Sequence, residues 1–289
     1  MTIDVFVNLA VAGLSTGMMY YLVAAGLTLV FGLMGVLNFA HGTVFMIGAY
    51  AGCLTFQYTM NFPLAIIVAI IVGGIVGLVM ERGLLRNHYG NHMTQILLTT
   101  GIMTILTELI QIPFGPLAKV AYQPLSLTSS WVIGDITLIK YRVFVIVIGA
   151  LIAAGINLAM AKSKVGMTVR AGVQDSDMVM AMGINIKQTF LLVFIVGSAL
   201  AAMGGFLMST AVGAYSPYIG LQYQMFGFMV VVIGGLGSFS GTVLASVLIG
   251  LSEAFVAFYA PAFSNAVPVL IMIIVLLIKP SGLFGKKVV

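Results

Sequence analysis

The sequence predicts an all-α polytopic integral membrane protein with about nine transmembrane helices, eight to ten if one span is broken or re-entrant. Three observations carry this. The 289 residues are 61% hydrophobic and only 7% charged, whereas a soluble domain is about 25% charged. The mean hydropathy is +1.19. No Asp, Glu, Lys or Arg occurs between Asp4 and Glu81, or between Gln188 and Ser252, and each run has room for several spans of about 20 apolar residues. A β-barrel is excluded because segments such as Leu64–Met80 are apolar on every side instead of alternating. Within lipid, only a helix satisfies the backbone of such a segment internally.

Nine candidate spans follow in order: Val5–Phe31, Asn38–Tyr58, Pro63–Met80, Thr94–Phe114, Val143–Ala161, Thr189–Val212, Gln224–Leu236, Thr242–Tyr259 and Ala266–Ile278. The first begins with no basic residue before it and is longer than the apolar core of a cleaved signal. The seventh is too short to cross alone and is expected to borrow from the following GGLGSFSG. With the N-terminus outside, nine crossings place Arg82, Arg86, Lys162, Lys164, Arg170, Lys187, Lys279, Lys286 and Lys287 in the cytoplasm. Only Lys119, Lys140 and Arg142 then lie outside, in accord with the positive-inside rule. The C-terminus is cytoplasmic. The whole chain, 1–289, reads as one transmembrane domain, with an external loop at 115–141 and a cytoplasmic loop at 162–188. Within the former, SWVIGDITLIK suggests two short strands around Gly134-Asp135. That loop reads equally as an ordered connection or as a contact surface for an external partner.

The chemistry-bearing motifs are few. There is no phosphate-binding P-loop, and GGLGSFSG lacks both the spacing and the strand context of a dinucleotide fingerprint. His88 and His92 stand four apart without a third ligand nearby, which makes a solvated loop the better reading than a metal site. Cys53 is the single cysteine and reads as a small buried hydrophobe. No catalytic residues and no cofactor are expected. The net charge of +5 follows membrane topology and does not suggest nucleic acid.

The charge is concentrated in one place. Of 19 charged residues, 12 basic and 7 acidic, six lie within Lys162–Gln188. Asp175 or Ser176 is expected to cap a short helix through DMVMAM, with Asp177 in its first turn and Gly183 ending it. A further helical turn is expected around Val165–Ala171, with Arg170 near its end. Met178, Val179, Met180 and Met182 would then be shown from a polar loop. Exposed apolar side chains between charges mark a contact surface, and methionines suit one that adapts to a moving partner. The plainer reading is a topology signal with a helix lying on lipid headgroups, but topology needs only the basic residues.

The residues resemble a known family almost from end to end: GVLNFAHGTVFMIGAY (35–50), Glu81-Arg82, RAGVQDSDMVMAMGIN (170–185), YSPYIG (215–220), GGLGSFSGT (234–242), LSEAF (251–255) and KPSGLFG (279–285). Together they resemble the permeases of ABC importers for branched-chain amino acids, whose relatives also move urea and short amides. The resemblance implies a pore made with a second permease, identical or paralogous. It also implies two cytoplasmic ATPase subunits and an extracytoplasmic substrate-binding protein. ATP hydrolysis would belong to the separate subunits. The resemblance further implies that Arg170, Ala171, Asp175, Asp177, Met178, Met182 and Gly183 form the coupling element gripped by an ATPase.

Ionisable groups at membrane depth are functional candidates. His41, Glu108 and Glu253 qualify, with Asn38 as a polar companion; Glu253 falls in a motif of the family while Glu108 does not. His41-Gly42-Thr43-Val44 and Ser240-Gly241-Thr242-Val243 share a pattern 199 positions apart. Broken helices at such glycines often line a transport route, so both segments are expected to line the pathway or its gate. Close helix packing at glycine is the other reading. Gly73 and Gly77, and Ala201 and Gly205, read as packing positions. Beside the importer reading stand a urea or short-amide permease and a stand-alone secondary transporter or channel. The last would need no large capped cytoplasmic loop.

Overall fold

The computed structural model describes residues 2–35, 38–88, 91–134, 136–174 and 176–285. The long helices are α1 (Ile3–Met34), α2 (His41–Thr59), α3 (Phe62–Met80), α4 (His92–Phe114), α6 (Lys140–Lys162), α9 (Ile186–Val212), α10 (Ile219–Gly234), α11 (Phe239–Tyr259) and α12 (Val267–Ile278). Three short helices, α5 (Leu125–Thr128), α7 (Lys164–Gln174) and α8 (Ser176–Ala181), lie in the connections. Each long helix coincides with one of the nine apolar runs.

Seven segments among the described residues are long and apolar enough to cross a membrane; α2 and α10 are the exceptions. The two have different reasons. Twelve of the 19 residues of α2 are buried, so its environment is protein and it needs less lipid-compatible surface. Helix α10 has 16 residues, about 24 Å at 1.5 Å per residue, short of a hydrocarbon core of about 30 Å. Its start differs from expectation: it begins five residues earlier, at Ile219, and stops at Gly234 without taking in GGLGSFSG. Gly235, at φ 98°, turns the chain out of the helix.

Helices α1 and α9 form the centre, with α2, α3, α10 and α11 packed around them. Most of α1 is buried inside the bundle, whereas α4 is almost wholly on its surface. Small residues allow the close approach. Gly73 and Gly77 of α3 lie on Ala202 and Ser198 of α9, Gly205 of α9 lies on the Phe45 carbonyl of α2, and Gly250 of α11 lies on Gly13 and Gly17 of α1. A Cβ at any of these would meet another helix, so the glycines set the interaxial distances.

Two small antiparallel pairings order one end of the bundle. Strand β1 (Lys119–Val120) pairs with β4 (Ala214–Tyr215), just past α9. The Gln123 amide donates to the Thr210 carbonyl at 2.8 Å. Strands β2 (Ser130–Ile133) and β3 (Ile136–Ile139) form a hairpin with Ile133 opposite Ile136. Gly134 takes the left-handed conformation that its two-residue turn requires; Asp135 lies outside the described residues. Lys140 sits over the Trp131 ring. At the other end, the C-terminal segment closes α10. Leu283 N–H donates to the Ile233 carbonyl at 2.8 Å and Phe284 N–H to the Gly234 carbonyl at 3.0 Å. These are carbonyls that a helix end leaves without partners.

Candidate functional site

Two constellations stand out: a polar break in the core and the two-helix element between α6 and α9.

The break begins where α2 starts. His41 lies beside Gly26 of α1 and near Gly197 of α9. Gly197 is eleven residues into α9, so α2 begins about 16 Å inside the point where α9 begins. A helix start so deep leaves N–H donors that water cannot reach. Other parts of the chain satisfy them. Asn38 Oδ1 accepts from Ala40 N–H at 3.0 Å. Gln224 of α10 reaches across, and its Oε1 accepts from Gly42 N–H at 2.7 Å. The Thr43 hydroxyl donates to the Ala40 carbonyl at 2.6 Å. His41 Nε2–H donates to the Val23 carbonyl at 3.2 Å, which fixes its tautomer. Asn38, His41, Thr43 and Gln224 are all essentially inaccessible. Asn38 Nδ2, His41 Nδ1 and Gln224 Nε2 are buried without a hydrogen-bond partner among the described residues. A buried polar group left unpaired costs about 1–3 kcal/mol, so this arrangement has potential partners that the present conformation does not use.

The second Gly-Thr-Val segment starts α11. Thr242 donates to the Ser238 carbonyl, and its hydroxyl is 2.8 Å from that of Thr28. Gly241 lies against Gly234, at the end of α10, while Gly42 lies against Gly220, at its beginning. The two related segments thus clasp one short helix at its two ends. Ser240 is exposed, whereas Gly241 and Thr242 are buried. Both the pathway reading and the packing reading draw on the same glycines, since the close approach is what brings the polar groups together.

Glu253 stands apart, toward the other end of α11. It accepts a hydrogen bond from the Tyr20 hydroxyl at 2.8 Å. Side chains lean toward the start of their own helix. Because α1 and α11 run in opposite directions, Tyr20 and Glu253 lean toward each other and meet. Glu108 is exposed on α4 and accepts from Gln111 Nε2 at 3.2 Å, outside both constellations.

In the two-helix element the C-terminal stop is at Gly183, at φ 80°. Gly183 N–H donates to the Met180 carbonyl at 2.9 Å and Ile184 N–H to the Val179 carbonyl at 3.3 Å. Asp175 and the side chain of Asp177 lie outside the described residues. Met178, Met182, Ala171 and Gly183 are exposed. Val179 departs from expectation: it is 4% exposed and packs with Leu29, Val169, Ile186, Phe190 and Val193. One face of α8 is therefore an anchor and the other is displayed. The turn around Val165–Ala171 proves to be an eleven-residue helix. It is held by the Arg170 guanidinium, which donates to the Met160 carbonyl near the end of α6, and by Gly166, whose missing side chain lets α7 lie on the Ala159 and Met160 carbonyls. Among the described residues, no group of three or more His, Cys, Asp or Glu is placed to hold a metal ion.

Sequence reasoning missed Gln224 as a site residue. Its signal was an amide at the edge of an apolar run; its partner, 182 residues away, left no trace in the local sequence. It also missed Tyr20, whose role depends on the antiparallel packing of α1 and α11.

A family model described as branched-chain amino acid transport system / permease component matches residues 9–276. The chain is 31% identical to the high-affinity branched-chain amino acid transport system permease protein BraD of Pseudomonas aeruginosa, covering 96% of this chain and 94% of that one. It is 28% identical to the corresponding protein LivH of Escherichia coli, over 95% and 94%. It is 29% identical to the probable branched-chain amino acid transport permease protein LivH of Methanocaldococcus jannaschii, over 91% and 88%. No solved structure gives a significant match. With its apolar helices and this near-complete coverage, the chain is a multi-pass cell-membrane protein belonging to the branched-chain amino acid transport system permease family.

Proposed function

We propose that this chain is the membrane-spanning subunit of an ATP-driven, binding-protein-dependent importer of branched-chain amino acids. The family match over residues 9–276 carries the reading. It rests as well on the display of Met178 and Met182 from an anchored helix. In this account the chain crosses the membrane nine times, with the N-terminus outside, the 115–141 segment external and the 162–188 segment cytoplasmic. A second permease copy or paralogue completes the pore, two ATPase subunits sit beneath, and a binding protein delivers substrate from outside.

The coupling element has a division of labour. Arg170 and Val179 fix it to the bundle, while Ala171, Met178, Met182 and Gly183, with Asp175 and Asp177 of the same element, serve the ATPase contact. Motion of α7 and α8 pulls on α6 and α9, which flank them in sequence. Helix α9 packs on α2, so the displacement reaches the break at Asn38, His41, Gly42 and Thr43. Gly241 and Thr242, with Ser240 beside them, hold the other end of α10. The unused donors and acceptor at Asn38, His41 and Gln224 would find partners, water or substrate, when the break opens. Glu108 lies on the exposed face of α4, where the second permease would cover it.

Reconstitution tests this. The chain, assembled with its ATPases and binding protein in vesicles, is expected to accumulate leucine only when ATP is supplied on the coupling-loop side. Uptake by the chain alone down an ion gradient contradicts it.

A further inference from the structure

Near the end of the bundle where α1 and α6 begin and α11 ends, a cleft of about 430 Å³ opens between these helices. Its walls include Arg142 of α6 and Glu253 of α11, with Asn8 and Thr16 of α1 as polar neighbours and Leu9 and Phe258 as apolar ones. The volume lies within the usual range for small-molecule sites, about 300–1,000 Å³.

The two charges are held in place by their neighbours. Tyr141 is buried and donates to the Leu207 carbonyl at 2.6 Å. That bond sets the rotation of the first turn of α6 and turns Arg142, the next residue, toward α1. Gly149, two turns on along the same face, lies against Met18 of α1. Across the cleft, Tyr20 holds one oxygen of Glu253, Oε2, and no hydrogen bond is formed by Oε1 to any described residue. Arg142 forms no hydrogen bond or ion pair with any described residue either. A half-buried guanidinium and a half-buried carboxylate on opposite walls of one cleft, in an apolar chain, are costly to maintain. Left unjoined, they are complementary to a molecule that carries both charges.

We infer that this cleft is a transient site for the backbone of a zwitterionic α-amino acid, with the substrate carboxylate on the Arg142 guanidinium and its ammonium on Glu253. Leu9 and Phe258 offer an apolar surface for an aliphatic side chain. A planar guanidinium grips a carboxylate through two parallel hydrogen bonds. The inference rests on the importer reading and narrows it: urea and short amides, being uncharged, have no use for this pair of charges. The cleft opens at the end that the importer reading places outside, where a binding protein would release substrate.

A diazirine analogue of leucine, photolysed with the assembled complex in vesicles without ATP, tests the site. Labelled peptides are expected from α1, α6 or α11 around the cleft. Excess leucine should protect them. Leucinamide and 4-methylpentanoate, each lacking one charge, should not. Arg142→Gln and Glu253→Gln are each expected to reduce labelling about tenfold to a hundredfold, the loss of one charge-assisted contact. Glu253→Gln keeps an acceptor for Tyr20, and recovery of the intact complex by size exclusion checks that either variant has folded. Labelling confined to other regions, or labelling indifferent to both substitutions, overturns the site. Phosphatidylethanolamine carries the same two charges. If labelling appears only in vesicles lacking that lipid and leucine does not protect it, the cleft is a headgroup site and the inference fails. ATP-dependent leucine uptake by the wild-type complex is measured in parallel: its presence without cleft labelling rejects the site alone, and its absence rejects the importer reading.

Discussion

Replacement of Val179 probes the two-helix element most sharply, because one buried side chain anchors a six-residue helix. Val179 is 4% exposed, while Met178 and Met182, on the displayed side, are 62% and 72% exposed. Val179→Ala removes two methyl groups from the cluster with Leu29, Phe190 and Val193, about 1.6 kcal/mol at about 0.8 kcal/mol per buried carbon. That raises the undocked population of α8 roughly tenfold. Val179→Asp would bury a carboxylate with no cation in the cluster, a cost of several kcal/mol, and α8 would then remain undocked. Hydrogen exchange reads this directly at Met182, Gly183 and Ile184, whose N–H groups bond to the Met178, Met180 and Val179 carbonyls. Their exchange should quicken about tenfold in Val179→Ala and further in Val179→Asp, while amides of α9 beyond Phe190 stay protected. In the assembled importer, leucine transported per ATP should fall in the same order. Unchanged exchange at these three amides in Val179→Asp would refute the anchoring argument.

Other substitutions test the core. Gly205→Val places a side chain against the Phe45 carbonyl and Ala49 nitrogen, backbone atoms that no rotamer change can move. A loss at or above the usual overpacking range of about 1–3 kcal/mol should appear as a lowered midpoint of thermal unfolding in detergent. Gln224→Leu removes the acceptor for Gly42 N–H and leaves a buried donor unpaired, a loss of about 1–3 kcal/mol read by the same midpoint. Tyr141→Phe deletes the bond to the Leu207 carbonyl and should cost about 1 kcal/mol, read by the same unfolding midpoint. Truncation after Lys279 removes the Leu283 and Phe284 donors that close α10. Faster hydrogen exchange in the last turn of α10 is the expected consequence, and full protection there would show that the tail does not cap the helix.

How far the sequence reaches can be judged from particular elements. Helices α3 and α6 are legible because lipid imposes an unbroken apolar run on them. The β2–β3 turn and the stop at Gly183 are legible because few residues tolerate the backbone they require. Helix α10 is harder. Its first turn, Ile219–Gln222, follows YSP and reads as loop; tertiary packing of Gly220 on Gly42 places the helix there. Val179 was misread for a related reason. In a helix of only six residues the displayed and anchored faces differ by one position, and Leu29, 150 residues earlier, decides which is which. The depth of His41 and the reach of Gln224 belong to the same class. Both depend on which helices are neighbours, and periodicity carries no information about that.

The claim on which the rest depends is that an ATPase holds the displayed face of α7 and α8. Cys53, the one native cysteine, is buried, so a single Met182→Cys substitution gives a nearly clean background for disulfide or bifunctional cross-linking in the assembled complex. The account predicts that this residue cross-links to the ATPase, that the yield changes between ATP-bound and nucleotide-free complexes, and that the link arrests leucine uptake. Reaction of the same cysteine with an impermeant reagent applied from the extracytoplasmic side, with no ATPase adduct in any nucleotide state, would contradict it.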